Sequence, residues 1–120
     1  MNLGLGVDIV SVPRIRKALK NKKFKDKIFT AKEISYCQSR KSPEIYFAAR
    51  FAAKEAVIKA LAGKLRKIDW KEIEVAHNRD SSPKINLDSK VKKKLKNPKI
   101  LITLSHTHEF AVAVAYLIKT

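Results

Sequence analysis

The sequence predicts a single mixed α+β domain. Three observations carry this expectation: an apolar opening segment from Leu3 to Val10; a long alanine-rich stretch, Glu44 to Ala62, with no internal glycine or proline; and two apolar segments near the end, Ile100 to Ser105 and Phe110 to Ile118, joined by a polar turn. Strands at both ends with helices between them fit an α+β layer arrangement. At 120 residues the chain is one domain, 1–120, with no repeat and no linker. A chain this short buries a core with little to spare, so self-association would help it.

The elements follow in order. Leu3 to Val10 reads as a buried strand interrupted by one acid, Asp8. Ser11-Val12-Pro13 starts a helix, because proline is tolerated in a first turn. Ile15, Ala18 and Leu19 share one face of it, while Arg14, Arg16, Lys17 and Lys20 cover the rest. Thr30-Ala31-Lys32-Glu33 is a capping box, predicting a helix to about Arg40. Ser42-Pro43 opens the long helix, and Gly63 is its expected stop. Asp69-Trp70-Lys71 forms a short turn. Ile73 to His77 and Pro83 to Leu87 are two short strands around a polar turn. Asp88 caps a basic helix through Leu95, ended by Asn97-Pro98, and the two terminal strands follow. The expected order is strand, three helices, two strands, helix, two strands.

Charge narrows the function classes. Lys and Arg number 27 against 11 Asp and Glu, a net charge of +16. Such a field attracts polyanions: nucleic acid, anionic lipid, phosphorylated ligands or an acidic protein. Cys37 is the only cysteine, so no intrachain disulfide forms. Met1 to Gly6 lacks the basic region and apolar core of a secretory signal, and Phe110 to Ile118 is too short to span a bilayer as a helix. The expectation is a cytoplasmic protein with no membrane partner.

The few acids locate the chemistry. A carboxylate at Asp8 inside an apolar strand needs a cation or hydrogen-bond donors, or else it ends the strand and caps the next turn. Glu55 stands in the middle of the long helix, four residues before Lys59, which alone reads as a surface ion pair. Arg50, Lys54 and Lys59 on the same helix supply cations around Glu55. Two carboxylates could hold Mg²⁺, which keeps waters or phosphates in its shell, and nearby cations would clamp a diphosphate. His106 follows a strand. With His108 it makes a His-x-His pair that, without further ligands, is not enough for a zinc site.

Three segments in this order carry a resemblance: Gly6-Val7-Asp8-Ile9-Val10 with Arg14-Ile15 after it; Arg50-Phe51-Ala52-Ala53-Lys54-Glu55-Ala56-Val57-Ile58-Lys59-Ala60; and Leu104-Ser105-His106-Thr107-His108-Glu109-Phe110-Ala111. The set resembles the holo-[acyl-carrier-protein] synthase family of small 4′-phosphopantetheinyl transferases over nearly the whole chain. The resemblance implies that family's fold, an antiparallel sheet packed with a long central helix, and a homotrimer with sites at subunit interfaces. It implies transfer of 4′-phosphopantetheine from coenzyme A to a serine of an acidic acyl carrier protein, in support of fatty acid biosynthesis. Asp8 and Glu55 match the Mg²⁺-binding acids. Lys59 matches a lysine on the coenzyme A phosphates, Arg50 a residue near the nucleotide 3′-phosphate, and His106 the histidine of a Ser-His motif at the cofactor site. Arg14 falls on the helix that docks the carrier. The general base is open between Glu55 and a metal-bound water near Asp8.

The chain departs from the family pattern in two places. Ser81-Ser82-Pro83 lacks the glycine of a Gly-x-Pro turn, and Gly63 to Asp69 is shorter than the usual loop. A nucleic-acid-binding module is the rival reading of the charge. It leaves the two acids unexplained, and no motif with interleaved aromatics accompanies the lysines. No specific nucleic acid is expected as a partner.

Overall fold

The computed structural model describes residues 2–61, 65 and 67–119, so the expected helix stop at Gly63 lies outside the described residues. Strand β1 (Asn2–Ser11) leads into helices α1 (Val12–Ala18), α2 (Lys22–Ile28), α3 (Ala31–Gln38) and α4 (Pro43–Leu61). A 3₁₀ turn (Trp70–Glu72) precedes strands β2 (Ile73–His77) and β3 (Pro83–Leu87). Helix α5 (Ser89–Lys94) and strands β4 (Lys99–His106) and β5 (Phe110–Lys119) complete the chain. The predicted order holds, with one addition: α2. Its sequence carries four lysines, and only Phe24 and Ile28 are apolar, too few to show a periodic face. Asn21 caps it by accepting from the Lys23 amide.

The sheets are antiparallel. One has strand order β1-β5-β4 and the other pairs β2 with β3. Helix α4, about 28 Å long by its 19 residues, lies against the three-stranded sheet. Two glycines make that approach close. A Cβ at Gly6 would collide with the Ala56 carbonyl, and one at Gly4 with the Ala60 carbonyl. Ala52, Ala53, Ala56 and Ala60 bury on the helix side, facing Ala111, Ala113, Ala115 and Leu117 of β5. Small residues on both elements bring backbone near backbone, and this seats Asp8 beside the middle of α4.

The two faces of β1 differ. Gly4, Gly6, Asp8 and Val10 point to the helix. Leu5, Val7 and Ile9 point away and are 71%, 57% and 63% exposed. The expectation of a buried strand is therefore corrected: continuous apolar sequence reads as two buried faces, but this chain covers only one. The open face continues across the sheet through Val112, Val114 and Tyr116 of β5 to Leu101 and Thr103 of β4.

Helix α3 has the expected capping box, with the Thr30 amide donating to Glu33 and the Glu33 amide to Thr30 Oγ1. Glu33 is itself buried. It accepts from the Val75 amide at 2.8 Å and pairs with Lys54 Nζ at 2.7 Å. Lys54 also donates to the carbonyls of Trp70 and Ile73. One buried ammonium thus ties α4 to α3 and to the start of β2.

Candidate active site

Helical spacing sorts the functional side chains of α4 into two stripes. Phe51, Glu55 and Lys59 recur every four residues on the flank above β1. Tyr46, Arg50 and Lys54 recur in the same way on another flank. Arg50 and Glu55, five residues apart, diverge by about 140° around the axis.

On the first flank a pocket of about 370 Å³ opens between β1, α1, α2 and α4. Asp8, Arg14 and Glu55 line its polar end, and Ile15, Ala18, Phe24 and Phe51 its apolar wall. Lys59 Nζ donates to Asp8 Oδ1 at 3.0 Å and to the Val7 carbonyl at 3.0 Å. Partial burial raises the proton affinity of Glu55 above the ordinary carboxylate range. The negative charge of Asp8 adds to this, and Lys59 works against it. Two carboxylates that resist sharing one place are relieved by a cation between them. Phe51 is held from behind, its ring stacked on Trp70 with centroids 5.2 Å apart.

On the second flank, Arg50 is 2% exposed and its Nε has no hydrogen-bond partner. Its guanidinium lies 4.3 Å from the centre of the Tyr36 ring, with one long hydrogen bond of 3.5 Å to the Tyr46 carbonyl. Arg40 covers the same Tyr36 ring at 4.7 Å. His106 pairs with Ala111 at the far edge of the sheet, its ring 6.0 Å from that of Tyr46. Asp8 and His106 share the helix-facing side of the sheet but sit on its opposite edge strands, two strand spacings or about 10 Å apart across the sheet.

A family model described as the 4′-phosphopantetheinyl transferase superfamily matches residues 4–115. A holo-[acyl-carrier-protein] synthase of Protochlamydia amoebophila is 38% identical over 118 residues, covering 96% of this chain and 97% of the relative. One from Chlamydia caviae is 45% identical over 114 residues, covering 92% and 93%. Among solved structures, a Chronobacterium ammoniagenes ACPS–CoA complex superposes with a TM-score of 0.87 at 26% identity, covering 100% of this chain and 99% of that one. The chain belongs to the 4′-phosphopantetheinyl transferase superfamily.

The fold expected for this transferase family is the fold observed: α+β, antiparallel sheets and a long central helix. Of the residues singled out from sequence, Asp8, Glu55 and Arg14 line one pocket, and Lys59 bonds to Asp8. Arg50 and His106 lie on the other flank. The reading of Arg50 and Lys54 as cations around Glu55 is corrected: both side chains are buried elsewhere, and Lys54 is bound to Glu33. Burial lowers the proton affinity of Lys54, while the charge and hydrogen bond of Glu33 oppose that shift. Burial pushes the Cys37 thiol up to about 12, so it is no nucleophile.

Sequence reasoning missed Tyr36, Arg40, Tyr46 and His77. Tyr36-Arg40 and Tyr46-Arg50 each repeat at four-residue spacing, a signal that was present, but their meeting depends on how α3 packs on α4.

The donor chemistry of the pocket fits a hard cation. Among the described residues no cluster of three or more His, Cys, Asp or Glu is placed to hold a metal. A pair of carboxylates is what Mg²⁺ accepts when water and substrate phosphates complete its shell.

Proposed function

We propose that the protein transfers 4′-phosphopantetheine from coenzyme A to a serine of an apo acyl carrier protein, giving the holo carrier and 3′,5′-ADP. The observation that carries this reading is the shared pocket of Asp8 and Glu55, with Lys59 on Asp8, in a chain matched nearly end to end by relatives named for that reaction. The related ACPS–CoA complex supports coenzyme A as the donor. Fatty acid synthesis is the process this carrier modification would serve.

In this reaction the serine oxygen forms a bond to the β-phosphorus of coenzyme A, and the bond from that phosphorus to the oxygen of 3′,5′-ADP breaks. Asp8 and Glu55 would hold Mg²⁺. When bound, the ion supplies a Lewis acid that polarises the phosphoryl oxygens and offsets charge on the leaving group. Lys59 has a half-exposed, flexible stem and can exchange Asp8 for a diphosphate oxygen, adding a positive charge where negative charge develops. The serine proton passes to the carboxylate end of the pocket. Ile15, Phe24 and Phe51 form an apolar wall beside that end, and Arg14, exposed at the rim, would meet the acidic carrier.

Arg50 and His106 belong to the same reaction through assembly. Arg50 is a buried cation; no carboxylate pairs with it among the described residues. The 3′-phosphate of coenzyme A would supply the missing counter-charge. A homotrimer built on the open apolar face of β1, β5 and β4 would set the Arg50–His106 flank of one subunit against the Asp8–Glu55 pocket of the next. An exposed apolar face of this kind marks an interface. Among the described residues no helix is long and apolar enough to cross a membrane. With its free buried cysteine, the protein suits the cytoplasm.

The deciding experiment is mass spectrometry of an apo carrier incubated with the protein, coenzyme A and Mg²⁺. The expected result is a gain of one phosphopantetheine, lost on addition of EDTA. An unmodified carrier at high enzyme concentration overturns the proposal.

A further inference from the structure

His77 has no role in the chemistry above, yet it stands against Tyr36 on the second flank. As the last residue of β2 it points, like Ile73 and Val75, to the inner side of that strand. Its ring lies 4.7 Å from the ring of Tyr36, tilted by 34°. That tyrosine is the hub of the cluster: it carries the Arg50 guanidinium at 4.3 Å and that of Arg40 at 4.7 Å, and its hydroxyl accepts from Arg40 Nη2 at 3.0 Å. Two guanidinium groups and an imidazole therefore surround one aromatic ring.

Among the described residues the charges acting on His77 are those of Arg50 and Arg40, with no acid to balance them. Helix α3 presents Tyr36 and Arg40 to it, and α4 presents Arg50 with Tyr46 beyond. His106 of β4 lies behind Tyr46. From β3 it meets Pro83, its pairing partner. The nearby acids are engaged elsewhere: Glu74 accepts from the Thr30 hydroxyl at 2.7 Å, and Glu33 pairs with Lys54. Burial, and then the charges of Arg50 and Arg40, keep the imidazole neutral at pH 7.

We propose that His77 completes this anion site and takes up a proton when a phosphate monoester enters it. The inference rests on the reading of Arg50 as the 3′-phosphate residue and adds the group that couples that contact to pH. A phosphate monoester approaches two negative charges at neutral pH, with its second ionisation near 6. Two such charges reverse the field that Arg40 and Arg50 impose, and the imidazolium then becomes a third donor to the anion. A phosphodiester or diphosphate lacking the terminal group leaves His77 neutral. The site thereby distinguishes coenzyme A from its 3′-dephospho form more sharply as pH falls.

The chain has three histidines, so the test is direct. The Hε1 resonances of His77, His106 and His108 are followed by NMR from pH 5 to 8, assigned with His77→Asn and His106→Asn. The titrations are repeated at saturation with coenzyme A, with 3′,5′-ADP and with 3′-dephospho-coenzyme A. The expected result is that the first two raise the His77 midpoint by a pH unit or more and the third leaves it in place. At pH 6, His77→Asn should weaken coenzyme A binding by about three- to tenfold relative to the unaltered protein, with little difference at pH 8. An unmoved His77 midpoint at saturation with coenzyme A overturns the proposal and leaves the Arg50 reading standing. Equal affinity for coenzyme A and its 3′-dephospho form, unaltered by Arg50→Ala, overturns both.

Discussion

Glu33 and Lys54 meet as a fully buried ion pair, carboxylate to ammonium at 2.7 Å, in the wall between α3 and α4. The ammonium finishes its shell with the Trp70 and Ile73 carbonyls, and the carboxylate with the Thr30 and Val75 amides. Removing one partner strands the other charge away from water. Lys54→Met should therefore cost about 3–5 kcal/mol by urea unfolding. The Glu33→Gln/Lys54→Met pair should lose less than the sum of the two single changes, because neither charge remains. Additive losses would show that the pair is not coupled.

Glu55 trades stability for function. Its carboxyl holds a proton more tightly in the folded protein than in the unfolded chain. Between the unfolded and folded values the native state binds more protons, so stability falls as pH rises through that window. Glu55→Gln should raise Tm at pH 7 and leave it nearly unchanged near pH 4, where the unaltered residue is already protonated. The same variant should lose Mg²⁺-dependent transfer. Added Mg²⁺ should raise the Tm of the unaltered protein and not that of the variant. A variant with near-normal turnover sinks the metal assignment.

Arg14 stands at the pocket rim on α1, exposed, with the carboxylates behind it. Reversing its charge opposes an acidic partner more than a small cofactor that enters deeper. Arg14→Glu should raise the KM for the carrier several-fold more than the KM for coenzyme A, and the effect should shrink with added salt. Equal changes in both constants would count against docking.

Val7 lies in the middle of the open sheet face, paired with Val114. Val7→Lys places a charge there without touching the helix-facing side of β1. The variant should run as a monomer in light scattering, with unchanged secondary structure and little transfer activity. An active monomer would separate catalysis from assembly.

The sequence was most legible where local chemistry decides. The Thr30–Glu33 capping box, the strands Ile73–His77 and Pro83–Leu87, and the Asp88 cap all stand where turn and capping residues mark them. Asp8 stood out as an acid in an apolar strand, whereas Glu55 alone read as a surface ion pair and gained its role from the family resemblance; the two line one pocket. Three features escaped for different reasons. Helix α2 is too lysine-rich to show a periodic face. The outward residues Leu5, Val7 and Ile9 are as apolar as a core strand, and composition alone does not tell an open sheet face from a covered one. The fate of Lys54 depended on Glu33, twenty-one positions away on another helix, which no local pattern reveals.

Ser81 occupies a backbone conformation that favours glycine, with φ of 72°, in the turn closed by the Asn78 and Ser82 backbone groups. The sequence resemblance implies the glycine of a Gly-x-Pro turn at this position, and this chain has serine there. A Cβ in the left-handed region costs energy that glycine avoids, partly offset by the greater freedom glycine has in the unfolded chain. Ser81→Gly should therefore stabilise the protein by about 0.5–1 kcal/mol, a few degrees in Tm. Ser82→Gly is the control, because that residue needs no positive φ and loses its side-chain bonds to Asn78 and Asp80. It should destabilise. If both variants shift Tm in the same direction, the backbone strain at Ser81 is not what sets the stability of this hairpin.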